Sequence, residues 1–146
     1  MNILSQDIFL YYFGSYSAHA ITLDNITYPT IEHAYQCSKY EYKDVVDEIL
    51  NARSPLLAWQ VSQKHKPAQK KEFNELKLNI MEKLLRLKVE QHEDVRQALI
   101  DSNNLEIIKH IVTGPPADGY WDDGIDGNGL NQIGRASCRE RVLMPV

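Results

Sequence analysis

The segment from Tyr28 to Tyr40 has the sequence Tyr28-Pro29-Thr30-Ile31-Glu32-His33-Ala34-Tyr35-Gln36-Cys37-Ser38-Lys39-Tyr40. Pro29 cannot continue a strand ladder, and Thr30 is a favourable residue for the N-cap of a helix. From Ile31 onward no residue opposes a helix for about three turns, so the segment predicts a helix that begins at Ile31.

This helix would place three polar side chains on one face, because Glu32, Gln36 and Lys39 are spaced at i, i+4 and i+7. Glu32 would lie in the first turn, where the free backbone amides favour its ionised form. A carboxylate in that position is suited to orienting a water molecule or facing a developing cation. The same spacing also fits a simpler interpretation, in which Glu32 only complements the helix dipole and Lys39 is solvated.

The composition is that of a globular protein. The chain has 146 residues, 43% of them hydrophobic and 25% charged, which favours one domain with a single core over a disordered or membrane protein. No apolar run approaches the ~20 residues that a membrane-spanning helix needs, and the first residues carry no basic region typical of a secretory signal.

Charge and cysteine content restrict the partners and the compartment. The formal net charge of −4 provides no overall field that would attract a polyanion, so any contact with nucleic acid would be local. Cys37 and Cys138 are too few for a disulfide framework, which favours the reducing cytoplasm.

Short strands are predicted near the N-terminus. The segments Ile8 to Phe13 and Ala20 to Tyr28 are rich in aromatic and β-branched residues, and Asp24-Asn25 is a turn signal within the second. The polar loop Gly14-Ser15-Tyr16-Ser17 between them is either a connector or a carrier of ligand contacts.

The rest of the chain is predicted to be mainly helical. Phe73, Leu76, Ile80, Leu84 and Leu87 recur at helical spacing in the longest segment. The predicted helices are Val45 to Arg53, Pro55 to His65 with Ser54 as N-cap, Ala68 to about Gln91, and Glu93 to Ser102. Leu105 to Val112 is either a strand or a buried extended segment. The predicted fold class is therefore mainly α (α+β), a helical domain with a small antiparallel β element.

A second polar cluster has the sequence Asp118-Gly119-Tyr120-Trp121-Asp122-Asp123-Gly124-Ile125-Asp126-Gly127-Asn128-Gly129-Leu130-Asn131. Its glycines permit positive φ angles and a close approach of the backbone to a ligand, and Trp121 offers a flat apolar face. The cluster is either a surface turn or a ligand-binding loop.

Several kinds of site are disfavoured. An EF-hand loop that began at Asp122 would need a glutamate where Ile133 stands, and a dinucleotide fingerprint that began at Gly127 would need a glycine where Gln132 stands. His33 and Cys37 have metal-ligand spacing, but without a second Cys/His pair they indicate a packed helix face. No nucleophile elbow is present, so we predict neither a metal nor a cofactor.

Taken together, these segments resemble the NADAR family, also called YbiA-like. The matching segments, in the order found in the family, are Phe13 to Ala20, Tyr28 to Gln36 with Lys39, Ala52 to Pro55, Lys77 to Met81, and Trp121 with Gly124, Asp126, Gly127, Gly129 and Asn131. The resemblance implies a mainly helical fold. It also implies an N-glycosidase, which hydrolyses the bond between a ribose carbon and a base nitrogen.

The resemblance also implies a set of site residues. Glu32 would be the catalytic carboxylate, with Asp126 or Asp123 as a second acid, because an ionised carboxylate stabilises an oxocarbenium-like transition state. The expected substrate-binding residues are Trp121, Tyr120, Lys39, Gln36, Lys77, Tyr16 and Asn131. We expect the first turn of the helix that begins at Ile31 and the tryptophan loop to line one cavity.

The resemblance leaves several substrates open. One is a phosphorylated ribosylaminopyrimidine of riboflavin synthesis, and another is ADP-ribosylated guanine, so nucleic acid would take part only as a modified substrate. A noncatalytic module that binds ADP-ribose or a nucleotide is the alternative from another functional class. We expect a small-molecule ribosyl partner and no membrane partner, and the oligomeric state stays open.

The chain departs from the family pattern in two places. Asp122 occupies a position where the family commonly has glycine, and Gly14-Ser15-Tyr16 replaces a frequent Ser-Asn-Phe. In addition, residues 133–146 are similar to translated sequencing adaptor, so we predict a domain of residues 1–132 with a non-native tail. Because family members continue with another helix there, we expect exposed apolar surface and reduced stability.

Overall fold

A computed structural model of the chain describes residues 3–110, 119–124 and 126–144. Its elements in chain order are α1 (Gln6–Ile8), a π-helical turn (Phe9–Phe13), β1 (Ile21–Leu23), β2 (Ile26–Tyr28), α2 (Ile31–Cys37), α3 (Lys43–Leu50), α4 (Pro55–Lys64), a 3₁₀ turn (Lys66–Ala68), α5 (Phe73–Gln91), α6 (Glu93–Asp101) and α7 (Gln132–Leu143). This architecture confirms the predicted fold class of helices with a small antiparallel sheet.

The chain forms two compact units. One consists of the continuous segment Ser15–Gln91, which contains the hairpin and the helices from α2 to α5. The other combines Met1–Gly14 with His92–Val146, and therefore contains α1, the π-helical turn, α6 and α7. The predicted domain boundary after Gln132 stays a prediction.

The predicted hairpin is present in the Ser15–Gln91 unit. β1 and β2 are antiparallel with Ile21 opposite Tyr28 and Leu23 opposite Ile26. The two residues of the turn, Asp24 and Asn25, have φ angles of 51° and 65°. Aspartate and asparagine tolerate this left-handed conformation, which a two-residue hairpin loop requires.

Helix α2 lies at the centre of the same unit and packs against α3, α4 and α5. It begins at Ile31, as predicted, because the Thr30 side chain accepts a hydrogen bond from the backbone N–H of His33 at 3.2 Å. All seven of its residues are buried. Its last residue, Cys37, forms a core cluster with Tyr40, Ile49 and Ala58.

Helix α4 begins where it was predicted, whereas α3 (Lys43–Leu50, predicted as Val45 to Arg53) and α5 have other bounds. Ser54 caps α4 by accepting a hydrogen bond from the N–H of Leu57 at 3.1 Å, and Pro55 occupies the first turn as expected. Helix α5 begins at Phe73 rather than at Ala68, because the chain first makes the 3₁₀ turn and then extends at Gln69.

The predicted strand at Ile8 to Phe13 is wrong, since these residues form the end of α1 and the π-helical turn. Burial explains the difference: Phe9 and Phe13 are buried, whereas Leu10 is 60% and Tyr11 is 64% exposed. A strand with a buried face would have buried Tyr11 together with the two phenylalanines. Apolar residues four positions apart instead fit one face of a helix.

In the other unit, α6, α7 and the π-helical turn pack against one another. The segment after α6 is extended, and its Glu106 carbonyl accepts a hydrogen bond from the N–H of Leu4 at 2.9 Å. Of residues 105–110 only Ile107 is buried, so the prediction of a buried segment holds at that position alone, and residues 111–112 lie outside the described part of the chain.

Residues that resemble adaptor sequence supply most of α7. Its inner face is buried at Ile133 and Ala136. Gly134 lies against the preceding segment so closely that a Cβ atom there would be 2.0 Å from the Ile107 carbonyl oxygen. The tail therefore provides a C-terminal helix, and its origin stays a prediction.

Among the described residues, no helix combines the length and the apolarity that crossing a membrane requires.

Candidate active site

The Glu32 side chain is buried, with only 7% of its surface exposed. It lies in the first turn of α2, and its backbone N–H donates a hydrogen bond to the Ser15 carbonyl at 3.0 Å. This bond satisfies one of the amides that a helix N-terminus leaves free, and it fixes the Ser15–Ser17 loop against the helix. Burial of a carboxylate is costly unless polar groups surround it, so the groups around Glu32 must accommodate its charge.

Gln36 orients the Glu32 carboxylate. The Gln36 Nε2 atom donates a hydrogen bond of 2.7 Å to Glu32 Oε1, one helical turn away. Only the amide nitrogen can donate to a carboxylate, so the Gln36 Oε1 atom must point elsewhere. That oxygen is buried and has no hydrogen-bond partner in the described ranges. A water molecule or a ligand that offers an N–H or O–H group would satisfy it.

Lys39 lies against two aromatic rings rather than in open solvent. Its Nζ atom is 5.0 Å from the centre of the Tyr35 ring and 5.4 Å from that of Phe73. Burial lowers the Lys39 pKa to about 8, an effect that Glu32 opposes and that Lys66 and Lys77 reinforce. Lys39 is therefore half-buried rather than fully solvated.

Tyr16 faces the charge of Glu32. Burial, with a smaller contribution from the negative charge of Glu32, raises the Tyr16 pKa to about 12. Lys77, on α5, is half-buried and acts electrostatically on Lys39. The Ser15–Gln91 unit thus brings together five of the predicted site residues, which are Tyr16, Glu32, Gln36, Lys39 and Lys77.

His33 and Cys37 on the same helix are structural residues. The His33 Nδ1 atom is 2.8 Å from Thr30 Oγ1, and its Nε2 atom is 2.9 Å from the Ala52 carbonyl oxygen. Burial, with a smaller effect of Asp47, raises the Cys37 pKa to about 12, which makes the thiol unreactive at neutral pH. These contacts confirm the predicted packed helix face.

The tryptophan loop, residues 119–124 and 126–131, belongs to the other unit. The rings of Tyr120 and Trp121 meet edge to face, with centres 4.7 Å apart and planes at 90°. Asp122 is fully buried, and its Oδ1 atom accepts hydrogen bonds from the N–H groups of Gly119 at 3.2 Å and Gly124 at 2.8 Å. The aspartate that replaces the family's usual glycine therefore holds the loop together. Asp118 and Ile125 lie outside the described residues.

The two candidates for a second acid differ in environment. Asp126 is exposed, and its Oδ1 atom accepts a hydrogen bond from the Asn128 N–H at 3.0 Å, which lowers the Asp126 pKa. Asp123 is paired with His110, whose Nδ1 atom lies 2.6 Å from Asp123 Oδ2. A single histidine outside both polar clusters gives no signal in the sequence, so the pairing of His110 with Asp123 was not predicted.

Asn131 is held by the backbone of the preceding segment. Its Oδ1 atom accepts a hydrogen bond from the Lys109 N–H, and its Nδ2 atom donates one to the Ile107 carbonyl, both at 2.9 Å. The side-chain amide thereby fixes the start of α7. A substrate contact of Asn131 stays a prediction.

The two predicted clusters belong to different units. Tyr16, Glu32, Gln36, Lys39 and Lys77 lie in Ser15–Gln91, and the tryptophan loop lies in the unit that contains α7. The expectation that both line one cavity stays a prediction.

Comparison with known proteins gives consistent matches. The model of the NADAR domain family matches residues 4–143. The chain is 31% identical over 122 residues to the N-glycosidase YbiA of Escherichia coli (strain K12), covering 84% of this chain and 74% of that protein. It is 25% identical over 141 residues to a riboflavin biosynthesis protein of Vibrio vulnificus (strain YJ016), covering 92% of this chain and 37% of that protein. The NMR structure of E. coli YbiA has a TM-score of 0.83 and 29% identity, covering 98% of this chain and 83% of that chain.

Proposed function

Because the chain belongs to the NADAR domain family, we propose that it is an N-glycosidase, a hydrolase that cleaves the bond between a ribose carbon and a base nitrogen. Its similarity to the N-glycosidase YbiA covers most of both chains and supports this reaction class. In the reaction, water adds its hydroxyl group to the ribose carbon, and the leaving base nitrogen takes up the proton.

The observation that carries the proposal is the buried carboxylate of Glu32, held by the Gln36 amide at 2.7 Å. Cleavage of a ribosyl C–N bond passes through a state with positive charge on the sugar, which a fixed carboxylate stabilises. The same carboxylate can orient the attacking water and accept its proton. Because Glu32 is already oriented, little reorganisation is needed when the charge develops.

Gln36 has a second role in this scheme. Its Oε1 atom, which has no partner among the described residues, accepts a hydrogen bond from the attacking water or from a ribose hydroxyl. The amide thus holds the carboxylate through its nitrogen and the reacting molecule through its oxygen.

The surrounding charges favour an anionic substrate. Lys39 and Lys77 interact electrostatically beside Glu32, and a phosphate would offset the repulsion between the two ammonium groups. The name of the Vibrio vulnificus relative connects part of the family with riboflavin synthesis. We therefore assign a phosphorylated ribosylaminopyrimidine as the substrate. In this proposal Trp121 or Tyr120 stacks on the base or the sugar, and Asp126 or Asp123 is the second acid.

The test is an assay of products. The purified protein is incubated with a ribosylaminopyrimidine phosphate, and the free base and ribose phosphate are quantified by liquid chromatography with mass spectrometry. We expect both products in equal amounts. DNA that carries ADP-ribosylated guanine is tested in parallel, and release of ADP-ribose from it alone would overturn the substrate assignment. Calorimetric binding of ADP-ribose without product from either compound would overturn the enzyme proposal in favour of a binding module.

A further inference from the structure

Lys88 is a buried lysine near the end of α5, with 1% of its surface exposed. Its Nζ atom donates a hydrogen bond to Ser17 Oγ at 2.8 Å, and Ser17 Oγ is also hydrogen-bonded to His19 Nδ1 at 3.1 Å. Burial of an ammonium group is costly even when hydrogen bonds satisfy it. The structure therefore has a charged side chain at a position where a neutral one would avoid this cost.

The loop that contains Ser17 also contacts Glu32. Ser15, two residues earlier, provides the carbonyl that accepts the hydrogen bond of the Glu32 N–H at 3.0 Å. Tyr16, between the two serines, is the tyrosine whose pKa responds to the Glu32 charge. One short loop therefore connects the Lys88 ammonium to the first turn of α2.

We propose that Lys88 is a positioning residue for the hydrolysis. Through Ser17 it holds the Ser15–Ser17 loop, and this loop keeps Tyr16 and the Glu32 carboxylate in their positions relative to each other. This inference rests on the proposed function and deepens it by adding a residue that does not touch the substrate.

A matched contact on the same helix shows what simple anchoring looks like. Gln91, one turn after Lys88, accepts a hydrogen bond from the Thr22 N–H and donates one to the Thr22 carbonyl, both at 2.8 Å. These exposed bonds attach the end of α5 to β1 with a neutral side chain. A neutral side chain is thus sufficient to attach the helix to this segment. The buried ammonium of Lys88 instead binds the loop that contacts Glu32.

The experiment compares Lys88→Met, Lys88→Gln and Gln91→Ala in the full chain. Methionine keeps a long unbranched side chain without a donor, and glutamine keeps an N–H donor without the charge. We expect Lys88→Met to lower kcat by about 10- to 100-fold with little change in KM, as the loss of a charged hydrogen bond predicts. Lys88→Gln should recover part of kcat. Gln91→Ala should lower the thermal midpoint and leave kcat unchanged.

A second readout does not depend on activity. Amide hydrogen exchange of Glu32, followed by NMR, reports whether its N–H remains bonded to Ser15. Exchange should be faster in Lys88→Met than in the parent, relative to global unfolding, and unchanged in Gln91→Ala. If the parent protein shows no turnover, the proposed function fails, and the exchange data still decide on the positioning role.

Parental kcat and parental Glu32 exchange in both Lys88 variants would overturn the inference. So would a loss of kcat that is equal in Lys88→Met and Gln91→Ala and follows the loss of stability. If Lys88→Met does not fold, the comparison of Lys88→Gln with Gln91→Ala applies the same criteria.

Discussion

Glu32 and Gln36 on α2 form the same i, i+4 hydrogen bond as Asp101 and Gln97 on α6, where Gln97 Nε2 donates to Asp101 Oδ1 at 2.8 Å. The first pair is buried and the second is exposed. Hydrogen bonds to a charged group contribute more where water cannot replace them. Two pairs with the same spacing but different burial therefore have different expected roles.

The variant Gln36→Met tests the orientation of the carboxylate. Without the Nε2 donor, the Glu32 carboxylate loses its fixed direction, so we expect kcat to fall by about 10- to 100-fold. The matched variant Gln97→Met removes the corresponding exposed bond and should keep the parental kcat. Steady-state kinetics of both variants give the comparison, and equal kcat values for the two would contradict the assigned role of Gln36.

Lys39→Met tests the electrostatic cost of the partly buried ammonium. The Lys39 pKa is lowered from 10.5 to about 8 in the folded protein, so between these values the unfolded chain binds more protons. The stability of the parent, relative to Lys39→Met, therefore rises with pH across this interval and is lowest below pH 8. Urea unfolding of both proteins at a series of pH values measures the difference. A difference that does not vary with pH would show that Lys39 titrates normally.

At the residue scale, the sequence predicted which side chains share a helix face better than it predicted how deeply they are buried. The spacing of Glu32 and Gln36 correctly placed them on one face, because helical geometry is local, whereas α2 ends at Cys37 and Lys39 lies beyond its end. Their burial depends on packing between helices, which spacing does not report. Likewise, Lys88 and Ser17 are 71 positions apart and share no motif, so their hydrogen bond had no signal in the sequence.

Local signals determined which elements were predicted correctly. The N-caps Thr30 and Ser54 and the turn at Asp24-Asn25 specify α2, α4 and the hairpin through neighbouring residues. The aromatic run Ile8 to Phe13 was misassigned because its composition favours a strand, whereas packing selected helical turns. Composition is thus a weaker guide than caps and turns.

The variant Thr30→Ala tests how an element positions the site. Loss of the N-cap should lower the free energy of unfolding by about 1 kcal/mol, and Ser54→Ala on α4 should have a similar effect. Only α2 carries Glu32, so only Thr30→Ala should also lower kcat, and Thr30→Ser should restore it. Chemical denaturation and kinetics test both effects. A loss of kcat in Ser54→Ala as large as in Thr30→Ala would contradict this separation.

At the scale of the molecule, the family and the helical fold were predictable because the motifs cover most of the chain. The sequence did not predict the division into Ser15–Gln91 and a unit that unites both ends of the chain. That division depends on contacts between distant segments, such as Leu4 with Glu106. Sequence patterns within either segment contain no information about the pairing.

The C-terminal tail provides a prediction at this scale. Helix α7 buries Ile133 and Ala136, but Val142 and Leu143 near its end are exposed. If residues 133–146 derive from adaptor sequence, replacement by a C-terminal helix typical of the family should bury more apolar surface and raise the thermal midpoint. Differential scanning calorimetry compares the two proteins, and an unchanged midpoint would count against the adaptor origin.

The most direct test of the account is the turnover of Glu32→Gln on the ribosyl phosphate substrate, measured beside Glu75→Gln, which changes an exposed glutamate in the first turn of α5. We predict that Glu32→Gln lowers kcat by roughly 10²- to 10⁴-fold, because in the proposed reaction the carboxylate of Glu32 faces the developing positive charge. Substrate affinity, measured by calorimetry, should change little, and Glu75→Gln should match the parent. Release of free base by Glu32→Gln at the parental rate would contradict the account.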